Sequence, residues 1–175
     1  LSETYDGQGR LLFRDRYAVG PRGELRRVSR ETAEGASQSF ALSAAGGLLS
    51  EERYQGGGRR LINRFDASGR LVSQEVWQGR QLLDRLELSY AEQSALPQAS
   101  ERVEPPTDSR TSTLFDGEGR TLSRVVKRGG STVEEWSYQY DGRGNRIQAS
   151  RRSAQGPEQW SYGYDEEGRL VREEY

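Results

Sequence analysis

Three tryptophans, nine tyrosines and four phenylalanines carry most of the chemistry this chain could offer a ligand. Trp136 and Tyr138 stand two residues apart, as do Trp160 and Tyr162, and Trp77 is the remaining indole. Flat rings with apolar faces and polar tips suit sugar rings and peptide side chains, so these five residues form a candidate ligand-binding platform. Packing is the simpler reading, because aromatics are the main source of buried area in a chain poor in aliphatics. The acidic pairs Glu134-Glu135, Glu166-Glu167 and Glu173-Glu174 raise the question of glycoside cleavage, which needs two carboxyls facing each other across about 5–10 Å. Neighbours on a strand point to opposite faces, so such a pair cannot converge on one bond and reads as solvated charge. Recurring Asp-x-x-Gly runs offer calcium-type oxygens but lack the dense alternating acids of a calcium loop. Gly56-Gly57-Gly58-Arg59 has the glycines of a phosphate loop without its Lys-Ser/Thr pair or a following helical pattern. No catalytic residue, cofactor or metal ligand is assigned.

Two absences narrow the chemistry further. There is no histidine, the commonest general base and metal ligand, and no cysteine, so neither a disulfide framework nor a thiolate metal site can form. An enzyme is not expected. The 26 basic and 27 acidic residues nearly cancel and are mixed along the chain, which argues against nucleic acid or an anionic membrane as partner. Lys127 is the sole lysine, so arginine, suited to planar carboxylate pairing between strands, supplies almost all the positive charge. The longest weakly polar run, Phe40 to Leu49, is half the length a membrane helix needs and contains Gly46 and Gly47. A start at Leu1 without a signal-peptide pattern reads as a mature or excised fragment.

The elements that hold the aromatics are written in an internal repeat. Tyr/Phe-Asp-x-x-Gly-Arg/Asn occurs five times, with Asp6 and Gly9, Asp66 and Gly69, Asp116 and Gly119, Asp141 and Gly144, and Asp165 and Gly168 as its turn residues. The aromatics in front are Tyr5, Phe65, Phe115, Tyr140 and Tyr164, and degenerate copies fall near Tyr17 to Leu25, with Gly23, and near Tyr54 to Leu61. Aspartate opening a type I turn accepts backbone N–H groups two residues on, and glycine at the fourth place takes the left-handed conformation. The last three motifs are spaced by 25 and 24 residues, with a second turn signal between them at Gly129-Gly130 and at Gln155-Gly156-Pro157. Each repeat is therefore two strands and two turns.

The flanks alternate as strands should. Trp136, Tyr138 and Tyr140 interleave with Glu135, Ser137 and Gln139, putting three aromatics on one face. Leu12, Val72, Leu122, Ile147 and Val171 hold equivalent places after the turn glycine and are expected to share a face. Leu86, Leu88 and Tyr90 alternate as a strand, although Leu82, Leu83, Leu86 and Tyr90 also fit one side of a helix. Pro97, Pro105 and Pro106 mark a degenerate or irregular stretch at about 92–110 within an otherwise single array over 1–175. The aromatic count argues against disorder, and 32% apolar residues argue against a thick two-sided core.

At these motifs the sequence resembles the YD-repeat family, also called Rhs (rearrangement hotspot) repeats, found in bacterial polymorphic toxins, toxin-complex proteins and teneurins. The resemblance covers most of the chain and is densest from Thr113 to Tyr175. It implies an exported or surface-exposed, non-catalytic structural role, in which strings of hairpins build a shell around a cargo domain. The chain lacks the family's Asp-Pro-x-Gly-Leu closing motif. The expectation is an all-β fold of tandem antiparallel hairpins, forming a twisted open sheet, a solenoid or part of a shell. Its partners would be an enclosed cargo or other protein, further repeats of the same parent chain, or a glycan, and its free edges could associate. The alternative is a module that binds glycan, peptide or an envelope protein by its aromatic face or by strand addition.

Overall fold

Aspartate and glycine build the same turn five times. In each, the Asp carbonyl accepts the Gly N–H at 3.0 or 3.1 Å, and Gly9, Gly69, Gly119, Gly144 and Gly168 take φ of 78°, 80°, 80°, 90° and 79°. Oδ1 of the aspartate accepts the backbone N–H four residues on, from Arg10, Arg70, Arg120, Asn145 and Arg169. In four of the turns the same oxygen also takes the N–H two residues on. The second carboxylate oxygen receives the side chain of the motif's last residue: Arg70 at 2.7 Å, Arg120 at 2.6 Å, Asn145 at 3.0 Å and Arg169 at 2.7 Å. The sixth motif position is thus a donor that closes the aspartate's shell, a role its arginine or asparagine did not disclose in the sequence. Both oxygens are committed to their own turn.

A computed structural model describes residues 1–20, 25–43, 47–55 and 57–175, with Leu25 described by its backbone. Gly23 of one degenerate motif copy, Gly46 and Gly56 lie outside the described residues. The chain divides into two compact units, residues 1–87 and 88–175. Unit 1 contains β1 (Ser2–Tyr5), β2 (Leu11–Val19), β3 (Leu25–Thr32), β4 (Ser37–Leu42), β5 (Leu48–Gln55), β6 (Arg59–Phe65), β7 (Leu71–Gln78) and, as far as Glu87, the part of β8 (Gln81–Tyr90) that pairs with β7. Unit 2 contains β9 (Pro97–Glu104), β10 (Ser109–Phe115), β11 (Thr121–Arg128), β12 (Ser131–Tyr140), β13 (Arg146–Ser153), β14 (Gly156–Tyr164) and β15 (Leu170–Glu174). In each unit every strand pairs antiparallel with the next in chain order.

Both turns of the repeat are as the sequence requires. A register shift falls immediately before each motif aromatic, at Thr4/Tyr5, Arg64/Phe65, Leu114/Phe115, Gln139/Tyr140 and Gly163/Tyr164, so every tyrosine-aspartate turn carries a β-bulge. The return turn at Gly129-Gly130 has φ of 57° and 76°, the two positive angles of a tight hairpin. Leu82 to Tyr90 is strand throughout. The stretch 92–110 holds a regular strand between its prolines. Pro97 opens β9, where its missing N–H interrupts no central ladder, and Pro105-Pro106 start a one-turn 3-10 helix (Pro105–Thr107) leading into β10.

Ala149, at 1% exposure, is the one apolar side chain among the described residues that is fully buried. Two carboxylates, Asp15 and Glu51, are buried as well, both in unit 1. Asp15 accepts both Nε and Nη2 of Arg30 at 2.8 Å across the β2–β3 pair, and the Arg30 guanidinium lies 4.0 Å from the Phe13 ring centroid. Glu51 is held by Arg53 at 2.8 Å, Asn63 at 3.0 Å and Gln38. Asn63 is in turn bonded by Gln74 at 3.0 Å, so Gln38, Glu51, Asn63 and Gln74 form one polar ladder over β4, β5, β6 and β7. Burial opposes ionisation of Glu51, but its three donors outweigh it and hold the carboxyl below the ordinary range. Side-chain pairing within single sheets takes the place of a two-layer core.

The turn carboxyls give these sheets an acid limit. The Arg70 guanidinium, then its backbone N–H, lower Asp66, while the Asn145 side chain and backbone N–H lower Asp141. For Asp165 the Arg169 backbone N–H leads, and for Asp116 burial opposes the shift but the Arg120 donors prevail. A carboxyl held lower in the folded chain than in the unfolded one contributes stability that is complete above about pH 4 and is lost as acid protonates the folded form. The urea midpoint should therefore fall steadily from pH 4 to pH 2. Asp141→Asn keeps the Oδ1 acceptor without titrating, so its midpoint should fall less steeply; a parallel acid profile would refute the assignment.

Candidate binding surface

Unit 2 assembles four of the five candidate aromatics on one face. In the β12–β13–β14 register, Tyr138 and Trp160 both lie opposite Ala149, and Arg151 lies between Trp136 and Glu158. Two strand spacings, about 9.5 Å, separate β12 from β14. The indoles close that distance by leaning over the small Ala149, so that Trp136 and Trp160 stack at 5.4 Å with an 18° interplanar angle. Trp136 also stacks on Tyr138 at 5.9 Å and 6°, and Tyr175 meets Trp160 edge-on at 5.3 Å. Alanine under the contact is what permits it.

Charged groups frame the row. Arg151 donates to Glu134 at 2.7 Å and to Glu158 at 3.2 Å, and its guanidinium lies 5.6 Å from the Trp136 ring centroid. Arg146 stands between Tyr138 and Tyr162, 5.7 Å and 4.8 Å from their centroids. Burial raises the Tyr138 hydroxyl above its ordinary value, and the bond from Tyr175 to Glu158 raises that of Tyr175, so both remain neutral hydroxyls at neutral pH. Trp136, Tyr138, Trp160 and Tyr162 are half-buried, each against neighbours in its own sheet.

Trp77 does not belong to this arrangement. It lies in unit 1, and on β7 it sits at odd spacing from Val72, whereas Ile147, the counterpart of Val72 after its turn, shares the parity of Ala149 under the row. Relative to the motif, Trp77 is on the other face. Its indole N–H bonds Glu75 at 3.1 Å and Arg60 stacks 5.4 Å from its centroid. Leu122, Ile147 and Val171 hold one equivalent place, the residue passed over at the register shift of each bulge, and all three are exposed.

The acidic pair Glu134-Glu135 splits across the sheet as strand geometry demands. Glu134 meets Arg151 on the aromatic face, and Glu135 lies 3.8 Å from Arg152 on the other. That other face is polar: Ser123, Ser137, Ser150 and Gln159 line up across β11, β12, β13 and β14 at the floor of an open trough of about 550 Å³.

No family model and no curated protein matches this chain. Solved structures do align with it along nearly its whole length. The crystal structure of TcdB2-TccC3-Cdc42 is similar at 15% identity over 97% of this chain, with a TM-score of 0.34, and this chain spans 14% of it. A porin-like protein from Bacteroides uniformis is similar at 9% identity and a TM-score of 0.34, over 98% of this chain and 84% of that one. Chemically, the row is a ridge of stacked rings flanked by the ion pairs of Arg151 with Glu134 and Glu158.

Proposed function

We propose that this chain is a non-catalytic structural repeat module, a shell or scaffold segment of an exported or surface bacterial protein. The observation that carries the reading is the turn repeated five times, in which the aspartate carboxylate is consumed by its own loop, and in two of the five the tyrosine in front, Tyr140 or Tyr164, is bonded to a carbonyl of the neighbouring strand. Residues that could serve a ligand or a reaction serve the lattice of the sheet. Such a module meets its partners, a cargo, a neighbouring protein or further repeats, through sheet faces and edges.

A scaffold of this kind is modular, and modularity can be tested. Deleting residues 116–140 removes one whole repeat and joins Phe115 to Asp141, restoring the motif. The shortened chain is expected to keep its β-sheet circular dichroism and a cooperative urea transition, with a slope reduced roughly in proportion to the lost surface. Deleting residues 129–140 removes one strand and its turn, reverses every following strand and should abolish the transition. Loss of folding in both deletions would overturn the reading.

A binding module for glycan or peptide is the second reading, favoured by the half-exposed rings of Trp136 and Trp160. On that reading the row is a platform, and truncating it would cost ligand affinity while leaving stability intact.

A further inference from the structure

Three of the five turns place glycine directly after the aspartate: Asp6-Gly7, Asp116-Gly117 and Asp141-Gly142. In the other two the next residue is Ala67 or Glu166, whose Cβ crowds its own amide nitrogen. An aspartyl Cγ followed by an unhindered glycine nitrogen is an electrophile beside a nucleophile, and the two can close into a succinimide ring. The nitrogens are free to act. Among the described residues, the N–H groups of Gly7, Gly117 and Gly142 donate to no protein acceptor. A Cβ at any of these three glycines would meet no atom within 4 Å, so water reaches all of them.

The electrophile is what differs. Ring closure expels one carboxyl oxygen as water, so that oxygen must be protonated and released. Asp116 Oδ2 accepts Nε of Arg120 at 2.6 Å, and Asp141 Oδ2 accepts the side-chain amide of Asn145 at 3.0 Å. Such donors favour the ionised carboxylate, which has no leaving group, and hold its oxygens in place. Asp6 departs from this pattern. Its Oδ1 accepts the N–H groups of Gln8 and Arg10 at 2.8 and 2.9 Å, as in the other turns. Nε of Arg10, however, stands 3.4 Å from Oδ2 without a hydrogen bond, and the guanidinium is 74% exposed and donates instead to Gln8. Among the described residues, Asp6 Oδ2 has no hydrogen-bond donor.

We propose that Asp6 is a site of spontaneous isomerisation to isoaspartate, and that the side-chain donor at the motif's sixth position guards Asp116 and Asp141 against the same reaction. The step balances without a co-reactant. The Gly7 nitrogen loses its proton and bonds Cγ of Asp6, the bond from Cγ to one oxygen breaks, and water leaves. Water then reopens the succinimide. Breaking the bond from nitrogen to Cγ restores aspartate, whereas breaking the bond from nitrogen to the main-chain carbonyl carbon leaves the chain running through Cβ and Cγ. That product carries an extra carbon in the main chain. It also turns the Asp6 carbonyl, which accepts the Gly9 N–H at 3.0 Å, into a free carboxylate, so the turn between β1 and β2 loses its geometry. The reaction proceeds in a scaffold and in a binding module alike.

The test is prolonged warm incubation of the folded chain at about pH 6, where a small protonated fraction of an ordinary carboxyl persists. Tryptic digestion and chromatography then separate aspartyl from isoaspartyl peptides, and residues 1–10, 111–120 and 129–143 fall in three different peptides. Isoaspartate should build up in the first about ten-fold faster than in the other two, the weight of one charge-assisted hydrogen bond on the reacting carboxyl. Incubation in concentrated urea should bring the three rates together. Arg120→Ala should raise the rate at Asp116 to that of Asp6 and leave Asp141 unchanged, and Asn145→Ala should do the reverse. Equal rates in the folded chain would overturn the assignment of Asp6. A ranking that persists in urea would trace it to neighbouring residues in the sequence and overturn the guard. An unchanged rate at Asp116 in Arg120→Ala would do the same, as would a rise shared by Asp116 and Asp141 in both variants, because the fold and not the donor would then be the protection.

Discussion

Trp136→Ala should lower the unfolding free energy by about 2–3 kcal/mol, visible as a drop of about 1 M in the urea midpoint. Full burial of a tryptophan in a two-layer core would set the loss at about 3–5 kcal/mol, and the half-buried indole here keeps one side in water. What it loses is specific. The Trp136 ring contacts Tyr138, Trp160 and the Arg151 guanidinium, and the alanine leaves Trp160 with only Tyr175 among ring partners. Arg151 retains Glu134 and Glu158, so the ion pairs survive and the loss reports packing. The same variant separates the two functional readings. A scaffold loses stability at position 136, whereas a binding platform keeps its urea midpoint and loses only affinity for an oligosaccharide or peptide. An unchanged midpoint would therefore tell against the scaffold.

The turns were the most legible part of the molecule, because Asp and Gly act through local backbone geometry that needs no knowledge of neighbours. Strand alternation was nearly as clear, and it settles Leu82 to Tyr90 as β8 where a helical spacing competed. Three features depended on pairing partners and were hidden. The motif's last residue could be assigned to the aspartate's second oxygen only once the loop was closed. Asp15 and Glu51 carry no mark of burial in the sequence, yet cross-strand partners make them two of the most buried side chains described. Residue type alone groups Trp77 with Trp136 and Trp160, and its odd spacing from Val72 is the sequence signal that it belongs to the other face.

Ala149→Leu tests the same stack from beneath. Ala149 is opposite both Tyr138 and Trp160, and the Trp136–Trp160 contact closes above it. Leucine has good strand geometry and adds apolar surface, so an unpacked site would accept it at no cost or gain from it. At 1% exposure the side chain has no outlet to solvent, so the extra carbons are expected to push the indoles apart or displace β13, at a cost of about 1–3 kcal/mol. Separation of the rings should also diminish the near-ultraviolet circular dichroism of the coupled indoles, a signal that simple destabilisation at another site would leave in place below the transition. A variant as stable as the parent with its indole signal unchanged would mean that the rings do not meet over Ala149. The repeat would then lose the contact by which one hairpin senses the next, and Trp136 and Trp160 would become independent, accessible rings, as the platform reading requires.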